Sequence, residues 1–451
     1  MLSHTQYDMV VIGSGPSGQR AAVQAAKLGK RVLIVERDWI GGSCLSTGTI
    51  PSKTLREAAL QSSLENPTHF DEVMKRKHWV IEEETKVISE QLKRNGIEFL
   101  QGRASFVSPT TIKVEGLTNT AEVQTKFVII ATGTRPVRPK EIPFNDHSIF
   151  DSDTILGLLS KPSTMAVIGA GVIGSEYASI FGRIGVRVTL IDQRDRLLSW
   201  MDPEITGALE KHFASSGIEL CLGTKTSELN IVDGSRQAKL LVNGKERRFD
   251  AILVCMGRLG NTETLNLAAA GLKASDRSLI AVNDHYQTAV PHIYAVGDVI
   301  GSPGLASASS EQGRLAAAHA FNLRDGSFPD SFPFGIYTIP EISSVGAQEM
   351  DLKAKGIAYV VGRGRYKELA RGKILGDDLG FLKLLFDAKT RKLLGVQVIG
   401  TGATELVHIG QAAFILGAGV DFFLNNVFNY PTLAEAYKVA AYNAYNQLKQ
   451  T

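Results

Sequence analysis

Met9-Val10-Val11-Ile12 is an apolar run that leads directly into the glycine-rich turn Gly13-Ser14-Gly15-Pro16-Ser17-Gly18. Residues 19–28 then have a helical pattern, and a second strand pattern at 31–35 ends at Glu36. In dinucleotide-binding units the first glycine makes the turn, the second lets the backbone approach a pyrophosphate, and the third lets helix pack on strand. The acid after the second strand accepts hydrogen bonds from ribose hydroxyls. We therefore predict a dinucleotide-binding unit here, with Glu36 as its ribose ligand.

The same pattern occurs again in the middle of the chain. The apolar run 165–168 leads into Gly169-Ala170-Gly171-Val172-Ile173-Gly174, residues 175–182 have a helical pattern, and a strand pattern at 186–191 ends at Asp192. In both copies the acid stands 23 positions after the first glycine. Two such units in one chain predict sites for two different dinucleotides.

Outside these units, residues 85–94 have the pattern of the end of a long polar helix. Buried strands that end in a small glycine turn, where a backbone can lie close to a nucleotide, are predicted at 127–133 and 251–258. From residue 333 onward there is no glycine fingerprint, and the patterns are strands at 380–386 and 393–399 and helices at 403–416 and 432–448. This order predicts an α/β chain with an α+β C-terminal domain.

A redox motif without its second thiol lies at Gly41-Gly42-Ser43-Cys44-Leu45-Ser46-Thr47-Gly48-Thr49-Ile50-Pro51-Ser52-Lys53. It resembles the G-G-x-C-x-x-x-x-C-x-P-S-K motif of the flavoprotein disulfide reductases, and the resemblance covers essentially the whole chain. Cys44 is kept, but Thr49 stands at the position of the second cysteine. A disulfide relay needs two thiols. Cys44 is therefore expected to be a small packing residue beside a flavin.

A second departure lies near the C-terminus, where the family has a His-Pro-Thr-x-x-Glu motif. Here the stretch reads Asn429-Tyr430-Pro431-Thr432-Leu433-Ala434-Glu435, with tyrosine in place of the histidine that exchanges protons with the dithiol. Loss of the thiol together with its acid/base partner is what the removal of one chemical step would produce. The alternative interpretation is unrelated drift in a degraded reductase.

The resemblance implies a fold of two Rossmann-like dinucleotide-binding domains, for FAD and for NAD(P), with a C-terminal α+β dimerisation domain. The expected divisions are 1–152 and 279–332 for FAD, 153–278 for NAD(P) and 333–451 for the interface of a homodimer or higher homo-oligomer. Within the family the chain is most similar to the transhydrogenases, which also lack the second cysteine. They imply hydride transfer from NADPH to NAD+ through flavin N5, with one nicotinamide site used twice in a ping-pong mechanism. A diaphorase that reduces quinones or dyes and a non-catalytic FAD-bearing scaffold are the alternatives.

The resemblance also implies the residues of both sites. Lys53 and Glu176, 123 positions apart, are expected to form an ion pair beside flavin N5, where the lysine stabilises negative charge. The expected FAD contacts are Gly13, Ser14, Gly15, Pro16, Ser17, Gly18, Glu36, Arg37, Gly42, Ser43, Cys44, Lys53, Ala104, Ala131, Thr132, Gly133, Asp298, Ala306 and Ser307. The expected NAD(P) contacts are Gly169, Gly171, Val172, Ile173, Gly174, Glu176, Asp192, Gln193, Arg194, Gly257 and Arg258.

Nucleotide preference is equivocal at the second site. Asp192 is the residue type that binds an unphosphorylated ribose and repels a 2′-phosphate, which favours NAD. Arg194 stands two positions later, and a guanidinium matches phosphate geometry. A site with both side chains would accept both NAD and NADP, although solvated surface arginine is the simpler interpretation of Arg194.

Composition argues against other classes of partner. The formal net charge is only +3 over 451 residues and no long basic block occurs, so neither nucleic acid nor an anionic membrane surface is expected. There is no apolar stretch long enough to span a bilayer and no signal-peptide pattern. The three cysteines, Cys44, Cys221 and Cys255, fit neither a disulfide framework nor a zinc pattern, which favours a reducing cytoplasm and no metal.

Overall fold

The computed structural model describes residues 4–61, 70–116, 118–232, 237–323 and 326–449. Two sheets with parallel central strands, each built around one glycine fingerprint, come first along the chain, and an antiparallel sheet forms the C-terminal part. The apolar runs that precede the fingerprints are buried in the centres of the parallel sheets, where Met9, Val10, Met165 and Val167 are each 0% exposed. Continuous apolar runs of this kind are typical of parallel strands covered on both faces.

The first sheet places the first fingerprint at its centre. Its unit contains, in chain order, β1 (Gln6–Ile12), α1 (Pro16–Lys27), β2 (Val32–Glu36), α2 (Gly42–Ser46), α3 (Thr49–Gln61), α4 (Phe70–Arg94), β3 (Glu98–Gln101), β4 (Arg103–Ser108), β5 (Thr111–Glu115), β6 (Thr120–Ile130) and β7 (Thr134–Pro136). This sheet also carries β4 and β5 in antiparallel pairing beside β6. Strand β1 lies between β2 and β6 and is parallel to both, with Met9 opposite Val32 and Phe127. The ends of β1 and β6 therefore meet at one edge, where the glycine turns lie.

The second sheet repeats this arrangement. Its unit contains β8 (Ile149–Asp151), β9 (Thr164–Ile168), α5 (Val172–Arg183), β10 (Arg187–Ile191), α6 (Pro203–Ser215), β11 (Glu219–Cys221), β12 (Thr226–Ile231), β13 (Ala238–Val242), β14 (Lys245–Phe249), β15 (Ala251–Val254) and β16 (Arg258–Gly260). The parallel order is β11-β10-β9-β15-β8, and β12, β13 and β14 form a separate antiparallel sheet. Strand β8 lies ahead of the boundary predicted at residue 153 and pairs with β15 in this second sheet.

The helices that follow the fingerprints begin earlier than their sequence patterns predict. Helix α1 was expected over 19–28, but Pro16 is its first residue, because a proline with fixed φ suits the first helical position and needs no N–H partner there. Helix α5 was expected to begin at 175, but it begins at Val172, directly after Gly171. Within the described part of the chain, no helix combines the length and the apolar character needed to cross a membrane.

The chain returns to the first sheet after the second unit. Strand β17 (Ile293–Ala295) pairs in parallel with β6, and helix α7 (Ala306–Ala320) packs against α1. The packing is close, because a side chain at Gly313 would collide with the backbone of Ser17. A two-stranded antiparallel ribbon of β7 and β16 joins the two units. The return carries Asp298 back to the end of β1 and β6.

The C-terminal part is an antiparallel sheet in the order β18-β19-β22-β21-β20 with helices on it. It contains β18 (Phe334–Ile336), β19 (Ile342–Gly346), α8 (Glu349–Ala354), β20 (Tyr359–Arg365), α9 (Ala370–Leu375), β21 (Phe381–Asp387), β22 (Leu393–Ile399), α10 (Ala403–Ile415), α11 (Val420–Asn425) and α12 (Glu435–Leu448). The strand predictions at 380–386 and 393–399 agree with β21 and β22. The helix predicted from 432 begins at Glu435, whose carboxylate accepts from the Thr432 N–H at 3.2 Å.

A buried charged cluster holds the second unit against the C-terminal sheet. Lys383, on β21, is 1% exposed, and its Nζ lies 2.9 Å from Asp202 Oδ2 and 3.1 Å from Glu204 Oε2. It also pairs with Glu349 of α8. Asp202 caps helix α6 by accepting from the N–H groups of Glu204 and Ile205. A cation from one unit therefore neutralises carboxylates at the start of a helix in the other.

Candidate functional site

The larger cavity, of about 1120 Å³, lies at the carboxyl ends of β1, β2 and β6. The fold positions its lining because parallel strands end at a common edge and their connecting turns converge there. Most predicted FAD contacts line it, namely Gly13, Gly15, Pro16, Ser17, Glu36, Arg37, Gly42, Ser43, Cys44, Lys53, Ala104, Ala131, Thr132, Gly133, Asp298, Ala306 and Ser307. Ser14 and Gly18 do not line it.

The first fingerprint fits a bound pyrophosphate. Gly13 has a φ of +107°, and a side chain there would collide with the Ala131 carbonyl, so the end of β6 enforces this glycine. Gly15 is different, because a Cβ there would meet no protein atom within 4 Å. The space beside Gly15 is the approach that a pyrophosphate needs at a helix N-terminus. Thr132 Oγ1 is buried and has no hydrogen-bond partner among the described residues, which leaves a polar atom available to a ligand.

Ser14 and Gly18 shape the turn from behind it. Ser14 donates to Glu36 Oε2 from its N–H and from its hydroxyl, both at 2.8 Å, and accepts from the Gly41 N–H at 2.9 Å. Glu36 Oε1 accepts from the Asp38 N–H at 3.0 Å. Gly18 packs on the Gly13 carbonyl, where a side chain has no room. Both residues therefore support the cradle, whereas the sequence prediction made them ligands.

Lys53 and Glu176 come together at the wall between the two units. Lys53 Nζ lies 2.8 Å from Glu176 Oε2, so the structure brings the predicted pair into contact. The other carboxylate oxygen accepts from the Tyr337 N–H at 2.8 Å, and the Tyr337 ring centroid lies 4.7 Å from Lys53 Nζ. The lysine is thus held by an anion on one side and an aromatic face on the other. Tyr337 was not predicted, because no local pattern relates it to Lys53 or Glu176.

Cys44 lines the same cavity as an unpaired thiol. Burial raises the pKa of the Cys44 thiol, although a hydrogen bond with the Thr49 side chain opposes the shift. Thr49 lines the cavity as well, at the position where a second thiol would have to stand. A buried thiol with a raised pKa is a poor nucleophile. The environment of Cys44 is that of a packing residue.

The second cavity, of about 580 Å³, lies at the second fingerprint. The predicted contacts that line it are Gly169, Gly171, Val172, Ile173, Gly174, Asp192, Gln193, Arg194 and Gly257. Gly169 and Gly171 repeat the geometry of Gly13 and Gly15, since the first faces the Cys255 carbonyl and the second faces open space. Ser152, Val172 and Ile173 line both cavities. The two cavities therefore meet at the start of α5, one turn before Glu176.

Asp192 and Arg194 are already joined to each other. Arg194 donates to Asp192 Oδ1 from its N–H at 2.8 Å and from Nε at 3.0 Å, and to Oδ2 from Nη2 at 2.7 Å. The Ala170 N–H also donates to Oδ2, at 2.6 Å. Burial alone would raise the pKa of Asp192, but the hydrogen bonds from Arg194 and Ala170 outweigh it and hold this pKa below its usual value.

Arg258 does not face the second cavity, contrary to the prediction that it binds NAD(P). Its guanidinium donates to the Thr134 hydroxyl and to the Thr134 carbonyl, both at 2.8 Å, and lies 3.5 Å from Asp153. These contacts cross the β7–β16 ribbon and turn the side chain toward the first cavity. Burial raises the pKa of Asp298 in that cavity, and the charge of Arg258 opposes the shift. Through these contacts Arg258 links the second unit to the first.

Tyr430, which stands in place of the family's histidine, lies at the surface of the chain. Tyr430 is 75% exposed, and it lies outside the described linings of both cavities. A single chain therefore does not bring Tyr430 to either cavity.

Among the residues the structure describes, no cluster of three or more histidine, cysteine or acidic side chains could hold a metal ion.

Comparison with known proteins agrees with this geometry. Residues 7–313 match the pyridine nucleotide-disulphide oxidoreductase family model, and residues 332–441 match the dimerisation domain of the same family. A soluble pyridine nucleotide transhydrogenase of Mycobacterium tuberculosis is 46% identical over 460 residues, covering 98% of each chain. One from Marinobacter nauticus is 43% identical over 465 residues, covering 99% of this chain and 100% of that one.

Solved structures give the same result for the fold. An HOCl-induced flavoprotein disulfide reductase from Escherichia coli superposes with a TM-score of 0.90 at 25% identity, covering 97% of this chain and 99% of that chain. These matches confirm the family and the α/β fold class predicted from sequence. The chain therefore belongs to the pyridine nucleotide-disulphide oxidoreductase family.

Proposed function

We propose that this protein binds FAD in the first cavity and a nicotinamide nucleotide in the second, and transfers hydride from NADPH to NAD+ to give NADP+ and NADH. The relatives that are 43% to 46% identical over nearly their full length and bear the name soluble pyridine nucleotide transhydrogenase support this activity. The homology of residues 332–441 to the family's dimerisation domain supports a homodimer. The three free thiols fit a reducing compartment, and we propose the cytoplasm.

One observation carries the proposal. The cavity that fits FAD shares Ser152, Val172 and Ile173 with the cavity that fits a nicotinamide nucleotide, and the thiol in the first cavity, Cys44, has Thr49 as its side-chain partner. Disulfide reduction needs a second thiol at this point. We therefore propose that a second nicotinamide nucleotide, and not a disulfide, accepts the electrons that the first one donates.

The chain's own residues hold and neutralise the reacting groups. Bound FAD would supply the two-electron chemistry by accepting hydride from one nicotinamide and passing it to another. Lys53, held by Glu176 and Tyr337, would place a positive charge where negative charge develops. Val172 and Ile173 line both cavities and would separate the nucleotide from bulk water at the point of transfer. We further propose that both nucleotides use the second cavity in turn, so that NADP+ leaves before NAD+ binds, which is a ping-pong mechanism.

Anaerobic titration of the purified protein tests this function. We expect a yellow protein with about one FAD per chain, whose absorbance NADPH bleaches and NAD+ restores, with NADH as the product. Bleaching by NADH alone, with recovery only on addition of a quinone or dye, would identify a diaphorase. A protein that neither nucleotide bleaches would be a scaffold.

Disulfide substrates give a second arm to this experiment. Lipoamide and glutathione disulfide should not be reduced, because Thr49 replaces the second thiol that a disulfide relay needs and Tyr430 replaces its acid/base partner. Turnover of either substrate at about 1 per second or faster would contradict the proposal.

A further inference from the structure

The carboxylate of Asp192 has no free acceptor position. An ionised carboxylate offers roughly four lone-pair sites. Oδ1 takes two donors from Arg194, and Oδ2 takes one from Arg194 and one from Ala170. The Asp192 side chain is only 7% exposed. A ribose 2′-hydroxyl can therefore donate to Asp192 only after the Arg194 guanidinium has moved away.

The corresponding acid of the first unit differs in this respect. Among the described residues, Glu36 accepts from the Ser14 N–H, the Ser14 hydroxyl and the Asp38 N–H, which leaves one acceptor position open. Its neighbour Arg37 pairs with Asp38 instead, at 2.9 Å. The two units thus use the same backbone contacts to hold the acid. Only in the second unit does a guanidinium occupy the remaining acceptor positions of the carboxylate.

The paired arrangement suits a 2′-phosphate. A guanidinium has five N–H donors, and Arg194 uses two of them, one on Nε and one on Nη2, for Asp192. The other three donors are not used for Asp192, and the Arg194 side chain is 47% exposed. The pair has no net charge, so Asp192 no longer repels a phosphate as an isolated acid would. A phosphate can bind to Arg194 while the arginine stays on Asp192.

We propose that Arg194 is a two-position switch that lets one site accept both nucleotides. Paired with Asp192, it binds the 2′-phosphate of NADP(H). Moved off Asp192, it frees the carboxylate to accept the 2′-hydroxyl of NAD(H). The switch rests on the proposed function in one respect only, the assignment of the second cavity to the nicotinamide nucleotide.

Calorimetric titration of the FAD-loaded protein tests the switch with two probes that differ only in the 2′-phosphate, adenosine 2′,5′-bisphosphate and 5′-AMP. Arg194→Ala should weaken the bisphosphate roughly 10- to 150-fold, because a charge-assisted hydrogen bond is lost. The same variant should bind 5′-AMP about 2- to 5-fold more tightly, because Asp192 no longer has to give up a partly exposed ion pair. Opposite changes for the two probes are the signature of a switch.

Arg196→Ala is the matched control. Arg196 lies two positions further on, and its Nη2 donates to the Ser199 carbonyl at 2.7 Å, away from Asp192. The affinities of the Arg196→Ala variant for both probes should stay within about 2-fold of those of the unmodified protein. Equal weakening of both probes by Arg194→Ala, or unchanged or weaker binding of 5′-AMP, would overturn the switch and leave the proposed function standing. If neither probe binds the unmodified protein, the assignment of the cavity fails and the switch fails with it.

Discussion

At residue 49, on the first turn of α3, a hydroxyl faces the Cys44 thiol inside the first cavity. Threonine in place of cysteine puts a hydroxyl and a methyl group where the thiol would stand, in a side chain of similar volume. The exchange removes the atom that could form a disulfide. Because burial also raises the pKa of Cys44, the remaining thiol is protonated at neutral pH and has no redox partner.

We predict that Cys44→Ser keeps most of the hydride-transfer activity. Serine preserves the size of the side chain and can exchange a hydrogen bond with Thr49. The measurement is the steady-state rate of NADH formation from NADPH and NAD+, together with the FAD content of the variant. A fall of several hundredfold with FAD retained would give Cys44 a catalytic role and contradict its interpretation as a packing residue.

The sequence predicted which residues line the two cavities better than it predicted the hydrogen bonds among those residues. The types and spacing of Asp192 and Arg194 pointed to a nucleotide site that both cofactors can use. The pattern did not reveal that Arg194 and the Ala170 N–H together occupy all four acceptor positions of Asp192, because that depends on rotamers and on the position of the Ala170 backbone. Similarly, Ser14 and Gly18 were predicted as ligands, because a fingerprint does not distinguish the residues that line a cradle from those behind it.

At the scale of elements, three segments that are distant in sequence meet around the Lys53 side chain. Helix α3 supplies Lys53, helix α5 supplies Glu176, and the segment after β18 supplies Tyr337. The separate elements were largely predictable from apolar periodicity and glycine turns. Their meeting was only partly predictable, since the family motif implied the Lys53–Glu176 pair and nothing implied Tyr337, which stands 161 positions after Glu176.

We predict that Tyr337 positions Lys53 through its ring. Tyr337→Leu should lower the rate of anaerobic flavin bleaching by NADPH about 2- to 30-fold, which corresponds to a cation–π contact of about 0.5 to 2 kcal/mol. Tyr337→Phe keeps the ring and the backbone N–H, so it should restore a nearly normal rate. Stopped-flow absorbance of both variants at equal FAD content checks this. Equal losses in the two variants would assign the effect to the hydroxyl group instead.

At the scale of the whole molecule, Lys383 joins the second unit to the C-terminal sheet from a fully buried position. We predict that Lys383→Met destabilises the folded protein by about 3 to 5 kcal/mol, because removal of one partner leaves buried carboxylates uncompensated. Urea unfolding followed by circular dichroism measures the change.

Lys353→Met is the control, because Lys353 approaches the same Glu349 at 3.6 Å but is 69% exposed. The effect of Lys353→Met should stay below about 1 kcal/mol, since water screens that pair. Similar losses in the two variants would mean that burial of Lys383 is not the cause.

The same cluster makes stability depend on pH. Burial would raise the pKa of Glu349, but hydrogen bonds from Lys383 and Tyr359 and the charge of Lys383 outweigh it and lower this pKa from 4.5 to about 2. The folded state therefore binds this proton less readily than the unfolded state. The contribution to stability is complete above about pH 4.5 and is lost as the pH falls toward about 2.

We predict that Glu349→Gln reduces the acid sensitivity of the protein. Urea midpoints measured from about pH 6 to about pH 3 should fall less steeply in the variant than in the unmodified protein, because one titrating group is gone. Parallel curves for the two proteins would show that Glu349 does not titrate with unfolding.

The convergence of Lys53, Glu176 and Tyr337 also requires segments that are far apart along the chain to dock during folding. The contacts that build this centre close loops of 123 and 161 residues, and loop closure costs more entropy as the loop lengthens. Some strand pairs within the units close much shorter loops, such as Met9 with Val32 in β1–β2 and Ala238 with Phe249 in β13–β14, and we expect these local pairs to form sooner. A chain in which only these local pairs have formed therefore still lacks the contacts that hold Lys53. We therefore expect the contacts around Lys53 to be completed only when the units dock onto each other.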